Sequence, residues 1–279
     1  MRLDILFGLI FLSQILLISY YLPGKLLKRI RAVFTNYPPE VYPRLYPKPI
    51  SYYEMGMLRF KYMNGLILLI GMALLVVFLG DSTNDDWGGV VFGYFMIQFI
   101  PMALVEIYSF KYLKLLREND SRSTRTANLQ PRRLSDVLSP GLVGLAVIVY
   151  VAFIVLVVYV NQFGYPWFGG YANIAGITFA NLLFTGIVLW NFYGERKNPY
   201  QASEDRMNQI KLLVKQVALI SIAATLFVAL NIFLKVFDLH HLNQIALSLY
   251  FQLIALFSFQ GFFMDTINAD VYKEKPLVT

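Results

Sequence analysis

The chain has 279 residues, 57% of them hydrophobic, with a mean hydropathy of +0.55 and a net charge of +7. Soluble domains are usually about 45–50% apolar, so this composition excludes an ordinary water-soluble fold and points to membrane spans. There is no cysteine, which removes disulfides, thiolate nucleophiles and cysteine metal sites together.

Seven apolar runs follow one another: Asp4–Leu22, Gly65–Gly80, Gly89–Phe110, Gly141–Asn161, Ile174–Gly194, Leu212–Val236 and Gln244–Met264. Each is near the ~20 residues that cross a ~30 Å hydrocarbon core. They predict an all-α, polytopic membrane helix bundle in which residues 1–279 form one integral domain, built as one helix followed by three helical hairpins. The first run has no small-residue cleavage site and leads directly into Lys25, Lys28, Arg29 and Arg31, which reads as a retained anchor.

The connecting segments alternate in charge. Segments 23–64, 111–139, 195–215 and 265–279 hold 8, 7, 5 and 2 basic residues, which is 22 of the 24. Lys and Arg are enriched on the cytoplasmic side of membrane proteins. The N-terminus is therefore expected outside and the C-terminus inside, with cytoplasmic loops at about 23–64, 111–139 and 195–211 and a tail at 265–279. This placement suits a plasma membrane or bacterial inner membrane. It explains the net charge through anionic lipid at the inner face, without nucleic acid.

The first of these loops contains "NYPPEVYPRLYPKPISYYE", five prolines and five tyrosines in nineteen residues. Proline disfavours helix at the residue before it, so the Tyr-Pro pairs predict an extended, polyproline-like strap under the bundle. The same strip is a candidate docking surface for a protein partner. Its end, L-x-P-basic-x-aliphatic-S through Pro47 and Ser51, recurs at Pro131 and Ser135, and in reduced form at Pro199 and Ser203. Proline followed by a serine N-cap predicts a helix start near each serine.

The odd-numbered spans each carry a carboxamide near the middle: Gln14, Gln98, Asn181 and Gln252. They lie 11, 13, 14 and 13 residues before Lys25, Lys111, Glu195 and Asp265, so they are expected at similar depth near mid-membrane. An amide in hydrocarbon must be bonded or wet. It serves either as interhelical glue or as the lining of a polar pathway. Glu106 and Lys215 fall about one turn inside the basic rim and are candidates for an ion pair there.

Catalytic signatures are absent: no H-E-x-x-H, G-x-S-x-G or Walker A loop occurs. The two histidines, His240 and His241, sit in a short turn that reads as solvated, and neither a metal nor a cofactor is expected. The leading expectation is a non-enzymatic membrane protein that binds a partner or ligand. A transporter or channel for a small neutral or polar solute is the alternative. A lipid-modifying enzyme built on Glu106 and the basic rim comes third.

Overall fold

The computed structural model describes residues 3–80, 87–120, 136–194, 198–201, 203–263 and 268–273. The described residues are helical or in turns, with no strand among them. Seven helices are long and apolar enough to cross a membrane. We number α1 (Leu3–Leu16), α2 (Leu22–Asn36), α3 (Ile50–Gly80), α4 (Gly88–Glu118), α5 (Pro140–Asn161), α6 (Ala172–Tyr193), α7 (Ser203–Val236) and α8 (Asn243–Phe259). A π turn, Leu17–Tyr21, joins α1 to α2, so the first crossing is one continuous rod from Ile5 to Asn36.

That rod corrects the expected end of the first span at Leu22. Pro23 would normally clash with the carbonyl four residues earlier and leave it without a donor. Here it stands just past the π turn inside the continuous rod, where the wider turn gives its ring room. The π turn before it has already shifted the hydrogen bonding, with Leu22 N–H donating to Leu17. The basic residues that follow do not stop the helix, because Lys and Arg are good helix formers.

Residues 50–64 and 203–211 are helical, in keeping with the helix starts expected near Ser51 and Ser203, whereas 111–118 continues α4 into a segment expected as loop. At 31, 31 and 34 residues, α3, α4 and α7 exceed the ~20 residues needed to span the hydrocarbon, so they project beyond it. The connection left between α2 and α3 is residues 37–49.

The helices sort into two groups. The α1–α2 rod, α3, α4 and α8 share one core, from Phe7, Phe11 and Ile15 through Tyr94 and Phe95 to Phe251 and Phe259. Phe95 and Phe251 stack at 3.9 Å between ring centroids. In the second group α5 and α6 each pack more extensively on α7 than on one another. Its apolar contacts divide into a patch at Phe153, Val157 and Ile232 and another at Phe192, Ile210 and Val214. The two groups meet along α7 and α8, where Phe227 stacks on Tyr250 and Gln216 Nε2 donates to the Phe257 carbonyl at 2.8 Å.

Candidate functional site

Two of the four span amides meet directly. Gln14 Nε2 donates to Gln98 Oε1 at 3.0 Å, and both side chains are buried. Ser248 Oγ donates to Gln14 Oε1 at 2.6 Å, and Gln98 Nε2 donates to Ser19 Oγ at 2.9 Å. Tyr94 donates its only hydroxyl proton to the Ile67 carbonyl at 3.1 Å. Ser19 is thereby left to donate to the Tyr94 oxygen, 3.4 Å away. The donors run in one sense, Ser248 to Gln14 to Gln98 to Ser19 to Tyr94 to Ile67. Hydrogen bonds aligned in this way polarise one another in a low-dielectric interior. The chain ties α8, α1, α4, the π turn and α3 together.

The π turn makes this arrangement possible. Gln14 and Ser19 are five residues apart, which on an α-helix separates them by about 140°. The wider turn brings both onto the face that meets Gln98. On α3, Gly71 leaves the space that Tyr94 fills: a Cβ there would collide with the Tyr94 hydroxyl.

The other two amides are placed differently. Gln252 clips α8 to α1, accepting from Ser13 Oγ and donating to the Ile10 carbonyl, each at 3.2 Å. Asn181 belongs to the second group, where its Oδ1 accepts from Ser221 Oγ at 2.6 Å. Glu106 and Lys215 are both exposed and do not form the anticipated pair. The reason is packing: α4 lies against α3 and α8, whereas α7 lies against α5, α6 and α8.

The serine repeat is mixed in its geometry. The helix after Pro47 starts at Ile50, making Ser51 its second residue, and Ser203 is the first residue of α7. Pro131 and Ser135 lie outside the described residues. The helix that follows them begins later, at Pro140 after Ser139, with proline's fixed φ suiting the first turn.

On the basic side five segments converge. The strap is not extended. Tyr37, Tyr42 and Tyr46, each before a proline, share φ near −125° and ψ of 70°, 56° and 75°. Polyproline II would need ψ near +145°, so the strap folds into successive turns. Its tyrosines pack on one another, with Tyr46 OH donating to the Tyr37 carbonyl at 2.6 Å and Tyr112 OH of α4 donating to the Leu45 carbonyl at 3.0 Å. Asn198 Nδ2 donates to Tyr272 OH at 2.6 Å, and Tyr200 OH donates to the Asn119 carbonyl at 3.3 Å. The buried Asp205 of α7 accepts from the Asn268 N–H at 2.9 Å. Arg44 lies over the Tyr200 ring and Lys273 over the Tyr42 ring. Burial pushes the Tyr46 and Tyr272 hydroxyls above the usual tyrosine range.

The sequence reading missed Ser19, Tyr94 and Ser248 in the amide chain, and Asn198, Tyr200 and Tyr272 in this cap. Ser248 carried a signal, since it sits one turn before Gln252 on the same face. Ser19 carried none without the π turn. In the turn after α7, His240 Nδ1 lies 3.0 Å from exposed Asp238, and no three metal-ligating side chains gather among the described residues.

Fold and site together define a multi-pass helical bundle with seven helices long and apolar enough to cross a membrane, a closed polar chain within it and an aromatic cap at its basic end. No protein-family model matches the chain, and neither a curated protein nor a solved structure matches it.

Proposed function

We propose that the chain is a non-enzymatic protein of a plasma membrane or bacterial inner membrane, N-terminus outside, that binds a partner or ligand at its basic-side cap. The observation that carries this reading is the convergence of five separate segments, residues 37–49, 112–119, 198–200, 205 and 268–273, on one preformed surface. A surface held by contacts of such different sequence separation is already ordered before anything binds, which lowers the cost of association. The amides inside the bundle favour binding over transport. Gln14 and Gln98 are bonded to protein, and none of the four amides lines the grooves beside α2 and along the strap.

Photo-crosslinking amino acids at the exposed positions Glu40 and Val41, in native membranes, test the reading. The expected result is a discrete crosslinked species that is lost when Tyr272→Ala loosens the cap. If crosslinks are absent and the purified protein in liposomes passes a solute whose flux Gln14→Leu abolishes, transport is the correct reading instead.

Orientation has its own measurement. The chain lacks cysteine, so S82C and S123C can be labelled singly. S82C should react from outside and S123C only after the membrane is opened. Labelling of both from one side defeats the topology.

A further inference from the structure

We infer that the groove between α2 and α3 is a binding site for one phospholipid whose head group carries a primary amine, as phosphatidylethanolamine does. The inference rests on the membrane reading above. The groove holds about 500 Å3 and is open on one side. Its floor is apolar and partly covered, made by Leu27 and Phe34 of α2 and Met57 of α3. Its rim carries three exposed charged side chains, Arg31, Lys61 and Glu54. No ion pair joins these three to one another or to other described residues. The site therefore offers two unmatched cations and one unmatched carboxylate beside an apolar surface.

Position along the helices sorts these charges by depth. Gln14 marks the amide level, and Ile15 lies against Gly71 of α3 at that level. Lys61 is ten residues from Gly71, about 15 Å along the helix, which is the edge of a ~30 Å hydrocarbon core. Arg31 is seventeen residues from Gln14 and Glu54 seventeen from Gly71, so both stand about 25 Å out, just past the head-group layer. Long basic side chains reach along the membrane normal to place their charge. Lys61 reaching outward and Arg31 reaching inward bracket the phosphate plane. Glu54, on the aqueous side of that plane, faces the part of the lipid beyond the phosphate. A purely anionic head group would meet Glu54 as a like charge. A choline head group would bring a cation with no N–H to donate. An ethanolamine head group matches all three charges, with acyl carbons along Leu27 and Met57.

Native mass spectrometry of the full chain in detergent, with equal amounts of dioleoyl phosphatidylethanolamine, phosphatidylglycerol and phosphatidylcholine, tests the assignment. Wild-type protein should retain the ethanolamine lipid about tenfold over the choline lipid, the effect of one charge-assisted hydrogen bond. The double variant R31Q/K61Q should lose retention of both the ethanolamine and the glycerol lipid. E54Q should keep the glycerol lipid and lose the preference for ethanolamine. In wild-type protein, added ethanolamine lipid should slow amide hydrogen exchange in residues 27–35 and 54–61, a readout that needs no variant. Equal retention of ethanolamine and choline lipids, preference for the glycerol lipid, or an E54Q variant that behaves as wild type each overturns the proposal. Release of the chain from membranes by alkaline carbonate without detergent would defeat the membrane reading itself.

Discussion

The α1/α3/α4/α8 group and the α5/α6/α7 group are both built from apolar helices, the second on average the more apolar, yet they hold together differently. In the first, between 28 and 44% of each span's most apolar window is buried inside the chain; in α5 and α6 the figure is 11%, and in α7 it is 22%. Lipid is as apolar as leucine, so hydrophobicity alone gives membrane helices no reason to prefer one another. What the first group has in addition is a polar chain threading four helices and a close helix approach at Gly71. The second has isolated pairs, Asn181 with Ser221 and Tyr150 with Thr178. Specific association in this bundle follows the inward polar groups and small residues, not the apolar count.

Glycine substitutions should separate the groups most sharply. Gly71→Ala drives a methyl into the Tyr94 hydroxyl and displaces its bond to Ile67. Overpacking of this kind costs about 1–3 kcal/mol. Gly186→Ala in α6 meets nothing within 4 Å and should be neutral, or stabilising by up to about 1 kcal/mol. Thermal unfolding in detergent measures both. A Gly186 loss as large as the Gly71 loss would erase the distinction.

The amides give the next largest contrast. Gln14→Leu leaves Ser248 Oγ and Gln98 Oε1 each short of a bond inside the core, and Gln98→Leu does the same to Gln14 Nε2 and Ser19 Oγ. Each should cost about 2 kcal/mol, and the double variant clearly less than the sum, because the two residues act as one unit. Asn181→Leu removes a single half-buried contact and should cost under about 1 kcal/mol. Additive losses at Gln14 and Gln98 would mean that the chain of bonds is not coupled.

The smallest effect belongs to the cap and depends on pH. Tyr46 and Tyr272 have folded-state pKa values raised by burial. Their contribution is intact below the unfolded tyrosine value of about 10. Above it the unfolded chain ionises first, and stability falls as pH rises towards the folded value. Protection from hydrogen exchange, taken relative to the base-catalysed intrinsic rate, should therefore fall in residues 42–46 and 268–272 above about pH 10, while protection around Gln14 and Gln98 stays unchanged. A uniform loss of protection would show that cap and bundle open together.

The apolar runs and the basic asymmetry were legible because composition alone marks the seven helices. Helix ends were not. Lys25 to Arg31 signals charge, and charge was read as loop, although only hydrogen bonding decides where a helix stops. For the amides, counting residues from the charged rim gives an expected depth along each span. They were not legible in azimuth. Counting cannot tell that α6 turns Asn181 towards α7, or that Gln252 faces Ile10 and not Gln98. The strap was misread because the rule for residues before proline excludes helix more strongly than it selects among the remaining conformations. The tyrosine packing then chose the turns.

The π turn has a consequence for the whole first rod. One extra residue in a helical turn acts as a phase shift of about 100° between everything above it and everything below. The core-facing stripe of α1 and the basic, amphipathic face of α2 thus share one rod but not one angular register. Deleting a single residue from 17–21 would leave a rod of almost the same length and composition. It would also turn Lys25, Lys28 and Arg31 by a quarter of a circle relative to the helices they now flank.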